Sequence, residues 1–281
     1  MFDLHFRNVV YHCRPLGLRF SLKRYLIAVP FVVSLLGCGP IVSRPAIERS
    51  LEREKVHAVL EHIKEQDRKV SSFFSSGKIS ADAWYGRDEA DILVIGRRYP
   101  LKIKVEITHS WGQPILHLLL AESRIQVLSF RDRRFYSGPG GAEALQRFFQ
   151  IHVRPEIFWS VLRAYPTLQE HSSITMGPNQ ISLHDQEDME VERIYLHPEA
   201  LLPRSISYRG EDLAISFDNF QGTNRFSYAG EVVLEDRRKK KKLVIRNEKM
   251  VFNRDIPPEV FAMHIPPGFE VYNLDDQDDR D

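Results

Sequence analysis

Cysteine is scarce: the 281 residues hold two, Cys13 and Cys38. Two thiols are too few for a disulfide framework or a zinc site built on thiolates. Charge of one sign is lacking as well. Lys and Arg number 39 against 38 Asp and Glu, a formal +1, which gives none of the broad positive field of a nucleic-acid-binding domain. Long apolar runs are absent too. The run 26–36 has about eleven residues, half of what a bilayer-spanning helix needs, and Pro30 interrupts it. Catalytic signatures are missing: no glycine-rich phosphate loop, no Gly-x-Ser-x-Gly elbow, no His-Glu-x-x-His. The chain therefore reads as non-enzymatic, without cofactor, metal or nucleic-acid partner. What is present, 43% apolar and 27% charged residues, is ordinary globular composition.

The histidines offer two candidates for chemistry. His57 and His62 are five apart, on different faces of a helix, so a shared metal is not expected. His184 stands with Asp185, Glu187 and Asp188, which reads either as a cation site or as an acidic turn.

The first 38 residues have an order. Arg14, Arg19, Lys23 and Arg24 precede the apolar run, and Gly37-Cys38-Gly39-Pro40 follows it, the arrangement of an export signal. Leu35-Leu36-Gly37-Cys38 resembles the lipobox of bacterial lipoproteins, in which the chain is cut before the cysteine and the cysteine is acylated. A plain signal peptide is the alternative. The lipobox implies a signal peptide over 1–37, an anchor at Cys38 and a short tether over 38–45. Several acyl chains would hold such a protein durably at a membrane surface. Gly39, where an inner-membrane lipoprotein would carry Asp, implies the outer membrane, facing the periplasm of a Gram-negative bacterium. Without the leader, 34 basic against 37 acidic residues leave a formal −3.

Beyond the tether, Ile47, Leu51, Val59, Leu60 and Ile63 follow a helical period from Ala46 to about Val70, with Ser71-Ser72 and Ser75-Ser76-Gly77 as its end. The period then becomes two. Leu101, Ile103, Val105 and Ile107 alternate with Lys102, Lys104, Glu106 and Thr108, a strand with one dry face. Similar runs lie over 79–85, 90–95, 115–121, 125–130 and 134–136. A second series covers 181–184, 189–196, 205–208, 213–220, 225–234 and 242–252. Evenly spaced strands with turns between them predict an antiparallel meander. Between the series, 142–150 and a segment opening on Pro155 and stopping at Pro166 read as two short helices. So many strands curl, and an apolar helix can cover the open side. The predicted class is α+β, mostly antiparallel, a bent sheet of about eleven strands around a helix, in one domain over 46–270 followed by an acidic, disordered tail over 271–281.

Two surface features carry potential function. Ser110-Trp111-Gly112-Gln113-Pro114 puts an indole at a hairpin tip, where small polar residues are the rule. Trp111 either folds back on the sheet or enters a membrane interface, which suits indole. The run Arg237, Arg238, Lys239, Lys240, Lys241, Lys242 is either the soluble tip of a hairpin or a contact for an anionic lipid surface.

These stretches together resemble the lipoprotein-localisation fold of the LolA and LolB proteins, closest to the outer-membrane receptor LolB. The lipobox, the helix before Ser71, the strand–loop–strand from Ile103 to Leu118 and the helical insert 141–166 carry the likeness, over roughly 48–221. The resemblance implies that the sheet is an unclosed half-barrel with a helical lid, enclosing an apolar cavity for acyl chains of lipoproteins or lipids, lined by Ile103, Val105, Ile107, Leu118 and Leu120 and lidded by Phe158 and Leu162. It implies a membrane-inserting loop at Trp111 and Gly112, exchange with a periplasmic carrier protein, and a monomer. A cell-envelope scaffold or sensor of the same fold, its cavity filled and its surface binding protein, is the alternative.

Overall fold

A computed structural model of the chain describes residues 53–81, 89–198, 200–209, 212–222 and 225–275. The expected leader, Cys38 and the tether lie outside the described residues. Helix α1 (Arg53–Arg68) leads into a first series of strands: β1 (Ser72–Ala81), β2 (Ala90–Arg97), β3 (Lys102–His109), β4 (Pro114–Ala121), β5 (Arg124–Ser129) and β6 (Arg134–Pro139). Helices α2 (Ala142–Phe149) and α3 (Pro155–Leu162) interrupt it. The second series is β7 (Ser173–Gly177), β8 (Gln180–His184), β9 (Glu190–Leu196), β10 (Pro203–Tyr208), β11 (Leu213–Gly222), β12 (Ser227–Asp236) and β13 (Lys241–Phe252), and β14 (Glu270–Asn273) closes the chain.

All fourteen strands belong to one sheet, in the order β14-β6-β5-β4-β3-β2-β1-β13-β12-β11-β10-β9-β8-β7. Each series is a meander, and the two are joined where β1 pairs antiparallel with β13, Phe73 opposite Phe252 and Ala81 opposite Leu243. The sheet ends on β14 and β7, which do not pair, so it is unclosed. It is the α+β, mostly antiparallel sheet that the periodicity predicts, in the unclosed half-barrel form that the resemblance implies.

Three differences from the sequence reading have physical reasons. The strands number fourteen rather than about eleven because the short β7 and β14 are added at the two edges. The Ser71–Gly77 stretch, read as the end of a helix, is mostly strand. Phe73, Ser75 and Ile79 alternate inward, buried, along it, and the serine-rich composition hid that period. At Gly77 the β1–β13 register slips by one residue, and a Cβ there would lie 1.9 Å from the Arg246 carbonyl oxygen. Only glycine permits that approach. Finally, β14 pairs parallel with β6 over Glu270–Asn273, so strand structure reaches into the segment expected to be a tail.

The concave face is aliphatic. Ile92 and Val94 of β2, Ile103, Val105 and Ile107 of β3, Leu116, Leu118 and Leu120 of β4, and Ile215 and Phe217 of β11 are buried there in one core with α1 and α3. Gly96 leaves room for the Phe73 ring, since a Cβ would sit 2.4 Å from it. That ring meets Trp159 of α3 edge-on at 5.1 Å. Helix α3 buries every residue from Ile157 to Leu162, so it is embedded rather than amphipathic.

Arg163, fully buried at the end of α3, holds this arrangement. Its Nη2 donates to the Gln66 carbonyl in the last turn of α1 at 2.9 Å, and its Nη1 donates to the Ser227 carbonyl of β12 at 3.3 Å. The guanidinium lies 4.7 Å over the Tyr165 ring. Ser227 returns its N–H to Gln66 Oε1 at 3.0 Å, and Ala229 N–H donates to the Ala164 carbonyl at 2.7 Å. One cation thus caps the negative end of α1 and joins two helices to the sheet. Burial lowers the Arg163 pKa to about 10, so it stays charged at neutral pH. Arg98 adds a second clamp, pairing with Asp67 and donating to the Asp67 carbonyl at 3.1 Å.

On the convex side, Ile95, Leu119, Leu128 and Phe135 are buried outside the concave core. The segment 253–269 runs along this side. Ile256 is buried, Arg97 donates to its carbonyl and lies 5.4 Å over Phe261, and Phe269 meets Phe130 edge-on at 5.5 Å. This strap brings β14 to the β6 edge.

Arg163→Met removes two donors and leaves the carbonyls of Gln66 and Ser227 unsatisfied in the interior. Urea unfolding is expected to show a loss of about 2–4 kcal/mol. Arg98→Ala, at a partly exposed pair, costs less; an equal or larger loss there contradicts the central place given to Arg163.

Candidate functional site

The candidate site is the concave side of the sheet together with the gap between its edges. The predicted lining residues Ile103, Val105, Ile107, Leu118 and Leu120 do share this side, each at 0% exposure. Phe158 and Leu162 of α3 face them, buried as well. In this structure they form packed core, and the cavities described below are lined by other residues.

Open space lies instead beside α1. A groove of about 930 Å³ runs between Lys64, Asp67 and Arg68, the loop Leu168–Ser172 and the turn Asp185–Glu187. A second of about 400 Å³ lies between the residues from Arg53 to Lys64 on one face of α1 and His171 to Met176 at the β7 edge. The two share Lys64, His171 and Ser172 and follow the seam where the helical cover meets the last strand. Ionic groups dominate the larger part, and in the smaller Val56, Leu60, Ile174 and Met176 stand among Arg53, His57, Glu61 and Lys64.

Polar groups buried in the interior were not foreseen from the sequence. Trp159 Nε1, Arg163 Nε and the Tyr165 hydroxyl have no hydrogen-bond partner among the described residues. Trp159 and Arg163 are one helical turn apart, so the three groups surround the end of α3. Nothing in composition distinguishes Arg163 from surface arginines; its place after Ile157–Leu162, where five of six residues are apolar, and before Ala164-Tyr165 was the available signal.

Glu192 of β9 is also fully buried. Its Oε2 accepts the Gln169 N–H at 2.7 Å, and Gln169 lines the larger groove. Burial pushes its pKa up to about 8, against the lowering effects of the Gln169 hydrogen bond and the Arg154 charge. The carboxyl is therefore mostly neutral at pH 7.

The His184 cluster is an acidic turn. Asp185 Oδ1 accepts the backbone N–H of Glu187 and of Met189, both at 2.9 Å, and His184 Nε2 meets Thr175 Oγ1 at 2.9 Å. Among the described residues no group of three His, Cys, Asp or Glu side chains is placed to hold a metal ion, and no helix is long and apolar enough to cross a membrane.

Trp111 stands at the β3–β4 tip and is 69% exposed. It stacks on the His109 ring at 4.2 Å and does not return to the core. Gly112 follows with φ +89° and open space where a Cβ would stand, the left-handed residue this tight turn requires. Its N–H donates to the His109 carbonyl at 2.7 Å. The basic run forms the β12–β13 turn. Lys241 and Lys242 lie opposite Asp236 and Glu235 in the ladder, whereas Arg237, Arg238, Lys239 and Lys240 are exposed in the turn.

No protein-family model matches the chain, and no curated protein matches it either. Solved structures do. A DUF1329 family protein from Desulfovibrio piger superposes with TM-score 0.49 at 10% identity, over 74% of this chain and 97% of that one. A LolA superfamily protein from Nitrosomonas europaea gives 0.44 at 13%, over 74% and 97%. The Mycobacterium tuberculosis lipoprotein LppX gives 0.31 at 14%, over 72% and 98%.

Glu192 makes stability pH-dependent. Its folded pKa lies above the unfolded carboxylate value, so its contribution is full below about 4.5 and is lost as pH rises through about 8. Glu192→Gln keeps an acceptor for the Gln169 N–H. It is expected to raise stability at pH 8 by a few kcal/mol relative to pH 5, read as a flatter dependence of Tm on pH. Parallel pH profiles for the two proteins overturn this assignment.

Proposed function

We propose that the protein is a non-enzymatic lipoprotein, anchored through acylated Cys38 to the outer membrane and facing the periplasm, that holds acyl chains of lipoproteins or lipids on the concave side of its sheet. On this reading it belongs near LolB, receives cargo from a periplasmic carrier protein as a monomer, and helps insert it into the bilayer. The observation that carries the reading is an unclosed sheet whose aliphatic inner face is covered by short helices, with an open groove along α1 at the unsealed edge.

Magnitudes support an exchange between helix and ligand. The apolar side chains of α3 contribute about 8–15 kcal/mol by burial against the sheet, and a sixteen-carbon chain regains about 12 kcal/mol there at about 0.8 kcal/mol per methylene. Neither dominates, so an acyl chain can take over the contacts of α3 without a chemical step. The ester oxygens of an acylated cargo also suit the donors left at Trp159 Nε1, Arg163 Nε and the Tyr165 hydroxyl. Trp111 then meets the bilayer: an exposed indole gains by entering the headgroup region.

A second reading, an envelope scaffold or sensor that binds protein through its surface, is favoured by the filled interior. Native mass spectrometry of the delipidated protein mixed with an acylated peptide separates the two. A one-to-one adduct, absent with the unacylated peptide, is expected; no adduct favours the scaffold. In a transfer assay to vesicles, Trp111→Glu is expected to retain the adduct and slow delivery at least tenfold, and unchanged delivery sinks the role given to Trp111.

A further inference from the structure

The two surface features that the sequence places far apart lie at the same end of neighbouring strands. His109 of β3 is opposite Ala90 of β2, Ala90 is opposite Ile79 of β1, and Ile79 is opposite Ile245 of β13. The β3–β4 tip with Trp111 and the β12–β13 turn with Arg237–Lys240 therefore project from one side of this row. They are separated by about four strand spacings, on the order of 19 Å along the sheet. On the other flank of Trp111, the β5–β6 turn sits at the same end, and it exposes Arg131 and Arg133. Six cations thus stand on both sides of one exposed indole.

Among the described residues the acidic groups at this end are mostly hydrogen-bonded or paired within the fold. Asp236 is buried and its Oδ1 accepts the Lys239 N–H at 2.8 Å, and Asp132 accepts the Ser129 hydroxyl at 2.9 Å. Glu89 is taken up by Arg246. Asp212 is exposed beside the turn, its carbonyl accepting the Arg237 N–H. Among the described residues none of the six cations has a carboxylate partner. A chain that is formally acidic once its expected leader is removed thus concentrates unpaired positive charge at one end, against its own average.

We infer that this end, with Arg131, Arg133, Trp111 and Arg237–Lys240, is a cationic rim that docks on the anionic headgroups of a phospholipid bilayer and sets the protein's orientation on it. Charge complementarity names the partner class, and the indole between the two cationic turns names a bilayer rather than a rigid protein face. Cations act through the surface potential and indole through the interface, so their contributions differ in salt dependence. The rim rests on the reading of Trp111 as a bilayer contact, and the two can fail separately.

The test uses the full chain carrying Cys38→Ser, which cannot be acylated, with vesicles of phosphatidylcholine alone or mixed with phosphatidylglycerol. Tighter partitioning to the mixed vesicles, falling with added salt, is expected. Converting Arg237, Arg238, Lys239 and Lys240 to Gln is expected to weaken it about fivefold per cation, at least a hundredfold together, with the melting temperature unchanged. Trp111→Ser is expected to weaken binding to both vesicle types alike at any salt. Equal partitioning to the two vesicle types, or no effect of the four-Gln change, overturns the rim. No effect of Trp111→Ser with the charge dependence intact overturns the membrane role of Trp111 and leaves the cationic docking standing.

Discussion

An unclosed sheet has a concave face that must be covered, and here the cover is pinned by one buried guanidinium. Arg163 reaches the last turn of α1 and the first residue of β12 at once. A buried cation without an ion pair of its own is costly, and burial lowers its pKa to about 10 against the pull of Asp67, which is paired with Arg98. What offsets the cost is geometric: helix-end carbonyls carry partial negative charge with no partner of their own, and the planar fork satisfies one of them, at Gln66, together with the Ser227 carbonyl at the start of β12. Replacing Arg163 by any apolar residue of its size leaves α1 and β12 without that shared donor, so the helical cover and the sheet depend on it jointly.

The same constraint decides where the molecule can open. Edge strands β7 and β14 are five and four residues long, short enough to limit edge-to-edge aggregation. At the β14 edge, the C-terminal strap seals the convex side through Ile256, Phe261 and Phe269. Among the described residues nothing comparable seals the β7 edge, where the groove beside α1 lies. Opening there breaks few apolar contacts, whereas opening at β14 would unpack the strap as well. Regions of low contact density are where local opening occurs first, and the cover is clamped at the C-terminal end of α1 by Arg98 and Arg163, which leaves the N-terminal turns over Ile174 and Met176 as its weaker part.

Much of the sheet was legible in the sequence because a half-buried antiparallel strand must alternate. Leu101 to Thr108 announces β3, and the helical insert is marked by Pro155 at a first turn and Pro166 beyond its end. What was hidden has physical causes. The alternation of β1 is carried by Phe73, Ser75, Gly77 and Ile79, in which small residues stand where backbones approach closely, so a hydrophobicity pattern misses it. β14 is parallel to β6, and such pairing has no hairpin signal. The inner face of the candidate site was identified by period alone, but its filling was not. Whether aliphatic side chains surround space or another helix depends on α3, and its burial on all sides shows only as a run, Ile157 to Leu162, too short to distinguish from an amphipathic turn. Glu192 and Arg163 were illegible for the same reason: a single ionisable residue in an element looks the same in sequence whether it faces water or the core.

Net charge conceals the last property of the molecule, its polarity from end to end. In an antiparallel sheet every second turn falls on the same side, so residues more than a hundred positions apart come to share one end of the sheet by topology. The turns holding Arg131, Trp111 and Arg237 are such a set. Their charges are not spent on the fold: Lys241 and Lys242 already face Asp236 and Glu235 across the ladder, which is all that hairpin pairing requires. Cations held close together repel and slightly destabilise the compact state, and neutral polar residues would serve as well to keep a turn in solution. A rim that retains unpaired charge beside an exposed indole is therefore better explained by a surface outside the protein than by the fold itself.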